Sequence, residues 1–578
     1  MGADRLLQEF PPVSTEAWEE VIARDLKGAD YTKKLVWQSD DGFAVRPYYR
    51  AEDLVGLEYL DAPPGSFPYV RGTRPTGNWR IRQDVDAVDP IPANQAACSA
   101  VVAGAEEIAF RNVQIANASD LANLLTNLRE IPVHFPNAKE ALLRLLVASE
   151  LSASVSTGWD PFTNLDLAAE IAATAAPTFA PFTIHGDELE ESGATTVQEV
   201  GFTLAAGIDF VAEMQSRKLD ISRAASALVF SFAMGSNYFF QMAKLRAFRL
   251  LWARAVESFG GSRESAKARI HARTSRWNET IYDPHVNVLR GTTEAMSAAF
   301  GGADSISVAP FDECYKTPDE ASRRLARNTQ ILLKQESLLG QVADPGGGSY
   351  ALEMITDFLA REGWKTMQSI ESVGGYQKAQ ADGLIAPALD KSLAGREKAV
   401  ELRRRIFTGT TQHANLNEKA LDRIDVSGPT GKRRGTEAYE ELRLRTERHV
   451  AAGGKNARVL LAEIGDVKMR AARSNFAANF FGCAGFDIVT RHFDNIDEVA
   501  AADADIVVLC SSDPEYLALA TALIAKRKAL GRTVPVVVAG YPESAEQMQA
   551  AGVADFIHIK SNPIEVLTKW QEQLGIKS

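Results

Sequence analysis

Ala457-Arg458-Val459-Leu460-Leu461-Ala462, Asp505-Ile506-Val507-Val508-Leu509-Cys510 and Val534-Pro535-Val536-Val537-Val538-Ala539 are short, nearly unbroken apolar runs. Continuous β-branched and aliphatic runs of this length read as strands buried on both faces, the signature of a parallel sheet. Two weaker runs, Asp487 to Thr490 and Asp555 to Ile559, complete a set of five. Between them lie helical patterns near Arg470 to Cys483, Ile496 to Ala501, Pro514 to Leu530, Ala545 to Ala551 and Pro563 to Leu574. Strand and helix alternate five times in about 120 residues, which predicts a flavodoxin-like domain over residues 456–578.

Working outward, residues 394–455 change character. Arg396 to Arg405 is charged, Gly431 to Gly435 is basic around Lys432-Arg433-Arg434, and Gly453-Gly454-Lys455 is a break, so the stretch is expected to be a linker with helical pieces. Upstream, residues 62–393 again alternate. Strands are expected at Phe182 to Ile184, Ala227 to Phe232, Ala268 to His271 and Ser305 to Val308, and helices at Ala138 to Ser149, Thr196 to Leu204, Phe239 to Glu257 and Pro318 to Glu336. With roughly 330 residues available, a (β/α)8 barrel is the leading architecture; periodicity alone leaves an open doubly wound sheet as the alternative. Residues 1–61 precede the breaker cluster Ala62-Pro63-Pro64-Gly65 and read as an arm. It holds a helix from Trp18 to Leu26 capped by Ser14 or Thr15, and a hairpin of Leu35 to Trp37 with Phe43 to Val45 about Asp40-Asp41-Gly42. Such a piece buries no core alone and is expected to lie on another domain or chain.

Bulk composition excludes several classes. The chain has 578 residues, 46% hydrophobic and 24% charged, and a formal charge of −12 from 75 acidic and 63 basic side chains. That field repels phosphate backbones and anionic lipid, so neither nucleic acid nor a membrane surface is an expected partner. Cys98, Cys314, Cys483 and Cys510 are isolated, which indicates neither a disulfide framework nor a zinc site, and a reducing cytoplasm is expected. Met1-Gly2-Ala3-Asp4-Arg5 opens onto an acidic amphipathic stretch rather than a signal peptide, and no run approaches ~18 apolar residues.

Longer blocks carry a resemblance. They are Phe67-Pro68-Tyr69-Val70-Arg71-Gly72 with Trp79-Arg80-Ile81-Arg82-Gln83, and Met242-Ala243-Lys244-Leu245-Arg246 with Leu250-Leu251-Trp252-Ala253. Further along come His271, Thr274, Ser275, Trp277, Thr280, Asp283, Asn287, Val288 and Arg290, then Ala326-Arg327-Asn328-Thr329-Gln330 and Asp344-Pro345-Gly346-Gly347-Gly348-Ser349-Tyr350. In content and order they resemble cobalamin-dependent acyl-CoA mutases of the methylmalonyl-CoA mutase family, and with the last domain the resemblance covers nearly the whole chain. It implies a barrel followed by a cobalamin-binding-type domain.

The positions that carry chemistry in that family differ here. Its DxHxxG motif holds the cobalt-ligating histidine. Counted back from Gly485-Phe486-Asp487, the acidic, histidine and glycine positions fall on Lys468, Arg470 and Arg473. A protonated arginine has no lone pair for a metal. The segments near the nucleotide tail read Ser511-Ser512-Asp513 and Ala539-Gly540-Tyr541, a tyrosine replacing a glycine. In the barrel, Asp84 stands where the family has a tyrosine after Ile81-Arg82-Gln83. Asp187-Glu188 replaces its Tyr-His pair, and Arg273 its glutamine. A carboxylate at the pair would repel a developing anion. His185 lies two or three residues early and, by strand alternation, is expected to face elsewhere.

The residues themselves leave alternatives open. Asp187 and Glu188, as neighbours on one strand expected to point to opposite faces, read as structural carboxylates or as an acid/base pair; His271 as a hydrogen-bonded core residue or a ligand; Arg273 as an anion clamp or a partner of Asp187. Gly346-Gly347-Gly348 lacks the Lys-Ser/Thr of a phosphate loop and reads as a turn. The resemblance, with these positions lost, implies the small subunit of a heterodimeric mutase. It would hold no catalytic residue, cofactor or metal of its own, and would pair with a large subunit that binds adenosylcobalamin and interconverts methylmalonyl-CoA and succinyl-CoA. Trp18, Leu26 and Trp37 of the arm would contact that partner. An active mutase with a variant cofactor site and a regulatory acyl-CoA-binding subunit are the alternatives.

Overall fold

A computed structural model describes residues 12–149, 151, 154–425 and 433–576. Met1 to Arg5, and Gly431 and Lys432 of the basic run, lie outside the described residues. The arm forms a helix and a hairpin as expected, except that Leu35 ends a short helix, Tyr31–Leu35, capped by the Asp30 side chain, instead of opening the hairpin strand. Ser14 caps the helix Thr15–Asp25 by accepting the Ala17 N–H, and β1 (Trp37–Gln38) pairs antiparallel with β2 (Ala44–Val45). The hairpin sits on the barrel's outer helices, with the Phe43 ring 4.6 Å from Phe358 and Trp37 edge-on to Phe240.

The barrel is all parallel. Its strands are β3 (Arg80–Val85), β4 (Glu107–Phe110), β5 (Val133–Phe135), β6 (Val155–Thr157), β7 (Phe179–Ala180), β8 (Phe182–His185), β9 (Leu228–Met234), β10 (Ile270–Thr274) and β11 (Ser305–Ser307). They follow one another in the sheet order β7-β6-β5-β4-β3-β11-β10-β9-β8. Only Pro181 separates β7 from β8. Proline has no N–H to donate to a ladder, so one stave breaks there, pairing with β6 through its first half and β9 through its second. The freed Pro181 carbonyl accepts the Thr157 hydroxyl at 2.5 Å. Eight staves therefore close the ring, the (β/α)8 architecture. The expected strand at Ala268 to His271 begins two residues later and runs on to Thr274.

Blocks shared with the mutases are largely structural. Buried Arg246 reaches both Asp344 and Glu353, and Arg71 adds a second guanidinium to Asp344 at 3.1 Å. Gly347 turns beside this cluster: a Cβ there would lie 2.6 Å from Asp344 and 2.7 Å from Arg71. The glycine run is thus a turn packed on an ion pair.

The last sheet comprises β12 (Arg458–Glu463), β13 (Asp487–His492), β14 (Ile506–Cys510), β15 (Val536–Ala539) and β16 (Asp555–Ile557). Its order is β13-β12-β14-β15-β16, all parallel, the flavodoxin arrangement. The described residues of 394–455 pack rather than extend: Val400, Phe407, Tyr439 and Leu442 join one hydrophobic cluster with Trp277 of the barrel and Leu461, Phe480 and Trp570 of the last domain.

Candidate functional site: the two strand-end clefts

In both α/β architectures ligands bind at the C-terminal ends of the strands, so those ends locate the candidate sites. At the barrel mouth, β8 ends at His185 and a helix, Gly186–Glu191, starts at once. Gly186 permits this, since a Cβ would lie 2.6 Å from the Thr203 hydroxyl and 2.9 Å from the Ser231 carbonyl. Two expectations are corrected by this turn. Asp187 and Glu188 lie on a first helical turn, not a strand; Asp187 is buried and Glu188 points to solvent. His185 lines the mouth beside them instead of facing elsewhere, because strand alternation stops at its own position.

His185 is held at both ring nitrogens. Nε2 lies 3.0 Å from the Gly158 carbonyl, and Nδ1 lies 3.5 Å from Asp187. Burial disfavours the imidazolium, yet the Asp187 carboxylate and the charge of Glu188 outweigh it and push His185 up to about 9. Asp187, despite its burial, is held well below the usual carboxylate range by His185 and Arg273. The chain of charges continues. Arg273 lies 3.6 Å from Asp187 and pairs with Glu191, and Arg276 pairs with Glu313 at 2.6 Å. Asp84 pairs with Arg111 across the rim. Deeper in the lumen, Glu107 accepts from Arg82 at 2.6 Å and Arg80 at 2.7 Å. His134 and His271 bond Ser156 and Ser305, each at 2.9 Å, and burial with the nearby Arg82 charge pushes both well below the usual imidazole value. His271 is a hydrogen-bonded core residue, and Arg273 is an internal partner of Asp187. Arg111, Glu191, Arg276 and Glu313 were not among the candidates; they sit in no motif, and only the folded loops bring them together.

The second cleft lies where the order of the last sheet reverses, between the loops after β12 and β14. Asp466 caps the helix Val467–Gly482, placing Lys468, Arg470 and Arg473 on its first two turns. Lys468 is exposed, Arg470 donates to the Gly465 carbonyl at 3.2 Å, and Arg473 crosses the cleft to Asp513 at 2.8 Å. Glu515 fills the centre. Its carboxylate accepts from the hydroxyls of Ser511 and Ser512, both 2.6 Å away, and from the Asp466 N–H at 3.1 Å, which together lower it to about 2. Tyr516 is fully buried behind it, donating to the Ala539 carbonyl at 2.7 Å. A Cβ on Gly540 would lie 3.2 Å from Tyr516 and 3.4 Å from Arg473, while Tyr541 stands exposed against His558. Among the described residues no group of three His, Cys, Asp or Glu could hold a metal ion, and no helix is long and apolar enough to cross a membrane.

Comparison with known proteins agrees with this architecture. Residues 158–475 match the family model for methylmalonyl-CoA mutase. A methylmalonyl-CoA mutase small subunit of Porphyromonas gingivalis is 37% identical, the alignment covering 99% of each chain. The small subunit of Streptomyces virginiae is 32% identical over 99% of this chain and 98% of its own, and a probable small subunit of Mycobacterium bovis is 31% identical over 94% of both. The chain belongs to the methylmalonyl-CoA mutase family and is of its small-subunit type.

Proposed function

We propose that this chain is the structural small subunit of a heterodimeric, adenosylcobalamin-dependent methylmalonyl-CoA mutase, its large partner carrying the cofactor and the interconversion of methylmalonyl-CoA and succinyl-CoA. The reading places it in the cytoplasm and gives it no catalytic or cobalt-binding residue. One observation carries it: both strand-end clefts are occupied by the chain's own charged side chains. At the barrel mouth His185, favoured as an imidazolium between Asp187 and the Gly158 carbonyl, has no free lone pair with which to act as a base. In the last domain the residues do not fit a cobalt-ligated cofactor. The first loop presents Lys468 and Arg470 where an imidazole would be needed, and Arg473, Glu515 and Tyr516 fill the space behind it. No step of the reaction is therefore assigned to this chain.

A scaffold kept while the charged groups of its clefts engage one another is a scaffold used for its surface. Trp18 and Trp37 of the arm are half exposed, at 49% and 52%, and large aromatics left on a surface favour contact with a partner chain. The test is to purify the full chain alone and co-expressed with the large subunit, and to measure cobalamin absorbance on each. One equivalent per heterodimer, with none on the isolated chain, is the expected result. Stoichiometric cobalamin on the isolated chain would overturn the reading in favour of an active mutase with a variant site.

A further inference from the structure

Beside the charged network at the barrel mouth lies a second, larger space. It is a cavity of about 640 Å³ between the ends of β3 and β11, the loop that follows β11, and the helix Glu320–Ile331. That is the size of a small-molecule site. Six guanidinium groups and four carboxyls line it. Most of this charge is already committed. Arg111 pairs with Asp84, Arg276 with Glu313 and Arg434 with Glu440, while Arg327 donates to Gln83.

Three polar groups on its walls are uncommitted. Among the described residues the Arg323 guanidinium has no hydrogen-bond or ion-pair partner, the buried Ser307 hydroxyl oxygen has none, and neither has the Glu279 carboxyl, on a residue only 7% exposed. Burial and the neighbouring charge of Glu313 push Glu279 up to about 8, so near neutral pH it is an uncharged acid with an O–H to donate. Val308, Pro310 and Ala326 supply apolar wall between these groups. The barrel interior below it is filled: the paired Arg82 and Glu107 of adjacent strands point into it beside His271, and the space left there holds about 30 Å³. A free cation, two O–H donors and a short apolar wall, closed at the end, describe a receptor for a small acid rather than a long thioester.

We propose that this cavity binds a short-chain organic carboxylate, its anionic group on Arg323 and its oxygens receiving hydrogen bonds from Ser307 and Glu279. The site is independent of cobalamin and would hold whether or not the chain is catalytically silent, so the absorbance experiment and this one fail separately. Isothermal titration of succinate, butyrate, inorganic phosphate and CoA into the full-length chain tests it. Saturable binding of succinate or butyrate is expected, weakened about tenfold or more by Arg323→Gln with an unchanged melting temperature of the unliganded protein. Binding to the wild type should also fall as the pH passes about 8, and Glu279→Gln, which keeps a neutral side chain there, should bind without that fall. Absence of saturable carboxylate binding, binding indifferent to Arg323→Gln, or tighter binding of phosphate or CoA than of either carboxylate would overturn the proposal.

Discussion

The barrel mouth and the strand-end cleft of the last sheet are equivalent places in their two folds, and the chain lines both with paired charges of its own, by different means. In the barrel the paired groups are buried and tie neighbouring strands and loops together, Arg273 to Asp187 and Glu191 at the mouth and, deeper, Arg82 to its register partner Glu107. At the sheet edge they are half exposed and local, as Glu515 is among Ser511, Ser512 and Asp466. Removing charges from water is costly and is repaid only when each finds its partner, whereas an exposed carboxylate in a loop loses little if its partners go. The first set of pairs is therefore bound up with the stability of the barrel. The second is close to decoration.

The largest effect should come from breaking the deepest pair. Glu107→Ala leaves Arg82 buried without a counter-charge and should cost ~3–5 kcal/mol by denaturant unfolding. An equally small loss for Glu107→Ala and Arg473→Ala would erase the contrast between the clefts. Next is Asp187→Asn, expected to lower stability by ~1–3 kcal/mol near neutral pH. Because His185 rises from 6.5 to about 9 on folding, the stabilisation is complete below pH 6.5 and lost as pH climbs through 9. Melting curves of wild type and variant should converge above that point, and the His185 ring titration followed by NMR should move down in the variant.

At the sheet edge Glu515→Gln should cost only ~1 kcal/mol. Its folded value of about 2 lies under the ordinary 4.5, so the contribution is present above pH 4.5 and fades as pH falls toward 2. Acid melts compared with neutral ones would reveal the opposite slope to that of His185. Smallest is Arg470→His, expected within ~0.5 kcal/mol of wild type. Restoring the imidazole should bring no cobalamin spectrum to the isolated chain while Arg473, Glu515 and Tyr516 still fill the cleft; uptake by that single variant would mean the cleft is open.

The fold was legible wherever burial acts on both faces of a strand. The runs at Val507 to Cys510 and Val536 to Ala539 admit no other environment, and β14 and β15 lie where they were expected. Barrel strands of three residues, such as Val133–Phe135 and Val155–Thr157, are too short to show a period. The helix at Gly186 was hidden because its cause is steric, a close approach to Thr203 and Ser231 from distant parts of the chain. Positions matched by count, such as Arg470 and Arg473, could be placed on their helix from sequence. The ionic partners could not, since Arg111, Arg276 and Glu313 meet across loops whose ends only the closed barrel fixes.

Trp277 sits just past β10, yet it packs with Tyr439, Phe480 and Trp570, stacks under the Arg396 guanidinium at 4.3 Å, and receives the Gly435 N–H on its carbonyl. A side chain shared by two cores leaves no seam for either to open along. Heat should therefore unfold barrel and last domain in one cooperative transition, and the rocking of one domain against the other that a two-domain enzyme uses to admit a ligand is a freedom this chain has given up.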